Sequence, residues 1–434
     1  MKTIVHGQIF DFLKNPVDCS NPGDSYRFFD DGGLVIENGL IKDTGDFNSM
    51  KSVYPDHKII DYSGYLVMPG FIDTHIHYPQ TEIIGSYGRQ LIDWLNDYTF
   101  AVENHFNDKN YASNIARLFV KELLKNGTTT SMTYATQSAA SVDSIFEAAS
   151  EYNMRFIAGK VLMNRNAPSA ICDTVESARE EIKDLINRWH HNGRNLYAIT
   201  PRFAITSDME QLKLAGELHK KYPDTFIQTH LSENPAEVKS VKELFADCRD
   251  YLDVYEKAGL VDDYSFFAHC IHLSQSERNR LKSAGSVVVH CPTSNLFLGS
   301  GLFPMKKTID SGIQTCIATD VGAGTSFSIL RTLGDAYKVA SVLGYAMNSL
   351  ESFYRVTYGA AKALKLDDKI GSFRVGNEAD FIVLDYRTPD IQKHRMNYLE
   401  KQNKWNVENM LFGLQTIGDD RNILATYVMG EPCS

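Results

Sequence analysis

Two histidines two residues apart, His75 and His77 in MPGFIDTHIHYPQ, are the first side chains here whose types and spacing point to chemistry. On a strand, residues at that spacing face the same side, so both imidazoles reach one metal ion. Further along, His230 and Glu233 (THLSEN), His269 (FAHC) and Asp320 (ATDVG) each lie late in an apolar run or in the turn after it. Imidazole nitrogen and carboxylate oxygen are good Zn²⁺ ligands, and a catalytic centre keeps one position for water. His75, His77, His230 and Asp320 would supply three nitrogens and one oxygen. Glu233 stands where a carboxylate would take a proton from a water at such a centre and pass it to a substrate nitrogen. His269 would hydrogen-bond the same water, and Asp320 would both ligate and orient. Each residue alone has an ordinary reading: a buried core histidine, an aspartate capping a helix, a glutamate opening one. Convergence is the more economical account, and it needs a fold that gathers distant strand ends.

Such a fold is written in the pattern. Eight short β-rich apolar runs recur, at 65–77, 127–135, 155–163, 196–204, 225–234, 265–273, 286–295 and 314–322. Helix-period stretches lie between them, such as 110–127, with Gly127 as its expected C-cap, and 141–153. Strand-helix alternation predicts parallel strands with helical crossovers, and eight units predict an α/β fold of the (β/α)₈ barrel type, an open doubly wound sheet being the alternative. At the C-terminal ends of barrel strands, where active sites form, the sequence places the residues named above and Arg202. The two chain ends differ from this middle, reading as short strands and turns with too little core to fold alone. The expected organisation is a composite β-sandwich from residues 1–65 and 366–434 beside a barrel spanning 66–365.

Composition narrows the function. A net charge of −10, without a block of like charges, argues against nucleic acid or an anionic membrane as partner. The seven cysteines are scattered singly, which suits reduced thiols rather than a disulfide framework. The first apolar stretch is too short for a signal segment and is interrupted by His6 and Asp11, so a cytoplasmic location is expected. No HExxH, HxE…PCxxC, GxSxG or Walker A pattern occurs. Lys160 lies on the third run and the fourth carries Pro201-Arg202 with no lysine, which disfavours a lysine-bridged two-metal site.

The segments MPGFIDTHIHYPQ, THLSEN, FAHC, CPTSNLFLGSG and ATDVGAGTSF resemble the amidohydrolase superfamily in its metal-dependent deaminase branch. DTHIHYPQ, KVLMNRNAP, TPRFA and CPTSNLFLGSGLF narrow that resemblance to the guanine deaminases, over nearly the whole chain. The resemblance implies one zinc per chain, with iron as the alternative, held by His75, His77, His230 and Asp320. It implies Glu233 as proton shuttle, His269 as partner of the attacking water, and Gln80, Arg202, Phe203 and His230 as substrate contacts. Each contact has a physical sense. Arg202 and Gln80 offer donors and an acceptor to a purine's oxygen and ring nitrogens, and Phe203 offers a flat face. The implied activity is hydrolytic deamination of guanine to xanthine and ammonia by a homodimer. The alternatives are a deaminase of another aminopurine, an oxidised guanine or a triazine and, from a different class, a non-catalytic scaffold on the same barrel.

Overall fold

The apolar runs form eight parallel strands arranged around a barrel: β5 (Phe71–His77), β6 (Thr128–Tyr134), β7 (Arg155–Gly159), β9 (Asn195–Pro201), β10 (Phe226–Leu231), β11 (Ser265–His269), β12 (Val287–His290) and β13 (Gln314–Ile317). A two-residue strand, β8 (Val161–Leu162), adds to β9. These positions come from a computed structural model that describes residues 2–88 and 90–433. Pairing is continuous from β5 round to β13. The seam closes through loop backbone, where the His77 N–H donates to the Val321 carbonyl (2.8 Å) and the Asp320 N–H to the His75 carbonyl (3.0 Å).

Helices return the chain between strands, and their ends are set locally. Asp108 caps the helix Lys109–Lys125 by accepting from the N–H groups of Asn110 and Tyr111. Its other end closes on Asn126, with Gly127 one residue further on in the left-handed region at φ 80°. Thr174, Asn234 and Ser274 each open a helix through a reciprocal capping box. Between β5 and Lys109–Lys125 the chain inserts a run of short helical turns over residues 91–107, including a π-helical turn at Leu95–Thr99. Such turns are common beside functional sites.

The chain ends join in one mixed seven-stranded sheet, ordered β16-β15-β14-β4-β1-β2-β3. Its strands are β1 (Lys2–Phe12), β2 (Tyr26–Glu37), β3 (Leu40–Asp46), β4 (Lys58–Pro69), β14 (Phe381–Leu384), β15 (Ile423–Val428) and β16 (Glu431–Pro432). Strand periodicity divides its apolar residues between two cores. Phe10, Phe12, Leu66, Met68, Ile382 and Leu384 belong to the large core shared with the barrel helices, whereas Val5, Ile9, Val67, Phe381 and Val383 build a smaller core on the other face. The first apolar run therefore serves two layers, ending β4 and then forming β5. Gly70 sits at the crossing because a Cβ there would lie 2.1 Å from Thr129 Oγ1.

The C-terminal segment is not strand alone. Helices Asp390–Lys401 and Val407–Ile417 interrupt it, and the second packs on the barrel helix Ile329–Val342. A buried ion cluster ties the sheet to the barrel floor: Arg155 Nε donates to Glu378 Oε2 (2.8 Å) and Arg194 Nη1 to Asp380 Oδ1 (3.2 Å), with further contacts from Arg194 to Glu378. Among the described residues no helix is long and apolar enough to cross a membrane.

Candidate metal centre and purine pocket

The strand period puts both β5 histidines on the cavity side, and the loop after β13 brings Asp320 across the seam to meet them. His75 Nε2 lies 3.2 Å and His77 Nε2 3.4 Å from Asp320 Oδ1. From β10 and β11 come His230 and His269. Donor atoms of His75, His230, His269 and Asp320 all lie within 4.8 Å of one another, and all four residues are buried.

Hydrogen bonds decide which ring nitrogen each histidine presents. His230 Nδ1 donates to the Arg202 carbonyl (2.8 Å) and His269 Nδ1 to Asn295 Oδ1 (2.8 Å), so each turns an Nε2 lone pair inward. His75 Nε2 and His269 Nε2 are buried without any hydrogen-bond partner. Burial pushes the His77 imidazole down to about 3 and also holds His75 and His230 below their ordinary value, so these rings are neutral at pH 7. Burial alone would raise the Asp320 carboxyl, yet His75, His77 and His269 outweigh it and hold the group well below the usual carboxylate range. Neutral imidazoles with unsatisfied nitrogens around one carboxylate are the donor set of a divalent ion, so the residues fit a metal centre.

Backbone geometry supports this as a built site. His269 (φ 68°), Asp320 (φ 53°) and Ser232 (φ 51°) all lie in the left-handed region, at about 1 kcal/mol or more each for residues with a Cβ. They stand at the C-terminal ends of β10, β11 and β13, and the surrounding barrel holds them there.

Glu233 borders the centre. Its carboxylate is 2% exposed, accepts from Ser300 Oγ (2.9 Å) and lies 3.5 Å from His269 Nε2. Burial, reinforced by the charge of Asp320, pushes it up to about 8 against the pull of Ser300. A cleft of about 370 Å³ opens above, lined by His77, Gln80, Arg202, Phe203, His230, Glu233, His269 and Asp320 together with Leu91, Trp94 and Leu95 of the inserted helical run. His75 sits behind that lining on the same strand as His77. The structure thus gathers every site residue named from the sequence around one cavity.

Comparison with known proteins agrees with this geometry. Residues 66–433 match the amidohydrolase family. A guanine deaminase of Escherichia coli (strain K12) is 47% identical over 98% of this chain and 96% of its own. The solved E. coli guanine deaminase superposes with a TM-score of 0.96 at 46% identity, covering 100% of this chain and 99% of the other. The chain belongs to the amidohydrolase family, among its guanine deaminases. A further guanine deaminase, from C. acetobutylicum, was solved with guanine bound in its active site; it is 28% identical, with a TM-score of 0.88 and 100% coverage of both chains.

Within this guanine deaminase framework several supporting residues escaped the sequence reading. Ser300 and Asn295 lie in the quoted CPTSNLFLGSG motif, but nothing local assigns them to Glu233 and His269. Asp73, inside FIDTHIH, accepts from the N–H of His75 (3.3 Å) and of Thr319 (3.3 Å), pinning β5 to the loop that carries Asp320. Glu237 accepts from the Glu233 N–H (2.7 Å) and from Tyr251 Oη (2.8 Å); the signal for it was the Asn-Pro-Ala-Glu capping box. Glu103 contacts Arg202 and had no sequence signal at all. Lys160 lies apart from the centre, buried in contact with Gln137, Asp173 and Glu181.

Proposed function

We propose that this chain deaminates guanine hydrolytically to xanthine and ammonia, with zinc held by His75, His77, His230 and Asp320. One observation carries the reading: a single cleft joins a neutral-imidazole and carboxylate donor set with Glu233 on one side to Arg202, Gln80 and Phe203 on the other. A divalent ion held there supplies two things when bound, a water made nucleophilic near neutral pH and a positive charge that favours ionised Glu233.

The chain's own groups do the rest. Arg202 and Gln80 present N–H donors to the oxo edge of the purine, and Phe203 offers a ring face, so that C2 is turned toward the centre. His269 Nε2, 3.5 Å from Glu233 and 3.7 Å from Asp320, hydrogen-bonds the attacking water. Glu233 accepts a proton from that water as it adds to C2 and delivers it to a ring nitrogen. Its second transfer, shared with Asp320, goes to the amine, which leaves as ammonia. Leu91, Trp94 and Leu95 cover the cleft and limit the access of bulk water.

The test is guanine turnover by purified protein, followed as loss of guanine absorbance with ammonia assayed in parallel and metal quantified on the same sample. Turnover with about one zinc per chain supports substrate and centre together. Metal without guanine turnover refutes the substrate and turns attention to other aminopurines and triazines. The same reading includes a cytoplasmic homodimer, which light scattering on the eluted protein checks for assembly.

A further inference from the structure

Glu103 lies in the inserted helical run, remote from every motif, yet its carboxylate is 1% exposed and both its oxygens accept from Arg202 Nη1, at 2.7 and 2.8 Å. Phe100, one turn earlier, places its ring 5.7 Å from the Arg202 guanidinium carbon. A guanidinium carries five N–H groups. Nη1 spends its pair on Glu103, and no other side-chain hydrogen bond of Arg202 occurs among the described residues. The Nε and Nη2 donors are left to the cleft that Arg202 lines.

Gln80 converges on the same carboxylate. Its Oε1 accepts from the Gly322 N–H (3.2 Å), which settles the amide orientation and leaves its NH₂ to donate. Burial raises the Glu103 carboxyl, and Arg202 and the Gln80 side chain beside it pull it down. One buried carboxylate therefore anchors Arg202 and stands beside Gln80, the two groups assigned to reading the purine edge, across 99 and 23 residues of chain.

We propose that Glu103 is the positioning residue that sets purine specificity: it fixes which N–H groups of Arg202 and Gln80 face the ring, and it cancels the Arg202 charge so that the cleft selects a neutral oxo-aminopurine over an anionic purine. The proposal rests on the function given above. Its physical basis is the cost of an unpaired buried charge. With Glu103 in place, Arg202 offers directed hydrogen bonds without a net positive field. Without it, the cleft holds an uncompensated guanidinium that attracts anions. Xanthine carries one more lactam carbonyl than guanine and is the more acidic of the two, so the same pairing favours release of product.

The experiment compares wild type, E103Q and E103D by steady-state kinetics with guanine and by inhibition with xanthine over a range of pH. For E103Q the expected result is a KM for guanine raised about tenfold or more, as for a lost interaction of a buried ion pair. The kcat changes less, and xanthine inhibition becomes tighter, increasingly so as pH rises and xanthine ionises. E103D, which keeps the charge, recovers most of the wild-type KM. An unchanged KM and unchanged xanthine inhibition overturn the proposal, and so does a parallel weakening of both ligands. A second comparison does not depend on E103Q folding: E103Q/R202M removes both charges and leaves neither unpaired. If Glu103 acts through Arg202, the double variant is no worse than R202M alone; a further independent loss overturns the proposal. Wild-type protein that fails to turn over guanine defeats the function itself, whereas active wild type with an indistinguishable E103Q defeats only this inference.

Discussion

Replacing Glu233 with glutamine separates proton transfer from metal binding. The glutamine is isosteric, so its side-chain oxygen still accepts from Ser300 Oγ, and the backbone N–H of residue 233 still donates to Glu237. None of the donor atoms of His75, His77, His230 or Asp320 is altered. What disappears is the carboxylate that receives and returns the proton, a contribution of about 10² to 10⁴ in rate. At about 1.4 kcal/mol per tenfold, this is roughly 3 to 6 kcal/mol of the barrier. The amide also removes a carboxyl that burial holds near 8, so the metal-free variant loses no stability through this position. The assay is kcat for guanine at saturating substrate, with zinc per chain measured on the same sample and thermal unfolding recorded with and without chelator. A kcat within tenfold of wild type at equal zinc content refutes the shuttle role. A variant that loses zinc together with activity refutes the separation of the two functions.

Two other outcomes follow from the same geometry. His75→Ala removes a buried donor 3.2 Å from Asp320, so metal content and turnover are lost together, and added zinc at concentrations that reload chelated wild type does not restore turnover; a metal-replete, inactive variant contradicts the assignment. At the barrel floor, burial would raise the Glu378 carboxyl, but Arg155 and Arg194 more than offset that and hold it below 4.5. A lowered folded value means stability that is present above pH 4.5 and is lost as pH falls through the folded value. Glu378→Gln, which leaves two buried guanidiniums facing Asp380 alone, costs about 3 kcal/mol and weakens this acid dependence; urea midpoints at pH 7 and pH 4 measure both, and an unchanged midpoint at pH 7 removes the cluster from the stability argument.

What the sequence by itself determined was local and periodic. An apolar run between helix-period stretches declares a strand, and spacing two on a strand puts His75 and His77 on one face whatever surrounds them. Repetition eight times implies closure, and closure implies that strand ends such as His230, His269 and Asp320 converge. The helices at Asp390–Lys401 and Val407–Ile417 were within reach of the same reasoning, having their own apolar period, but the strands on either side set the expectation for the whole segment.

The tertiary structure alone decided the partners. Glu103 and Arg202 are 99 residues apart, and nothing in the composition of a short helical insertion marks one carboxylate as an anchor. The inward nitrogen of His230 is chosen by the Arg202 carbonyl and that of His269 by Asn295, contacts that exist only once neighbouring strand ends lie side by side. The left-handed backbone at His269 and Asp320 likewise runs against local preference and is held by the closed barrel. Periodicity encodes which face a side chain takes, because that depends on the residues beside it. Which group it meets there depends on loop paths and barrel closure, which no local window contains.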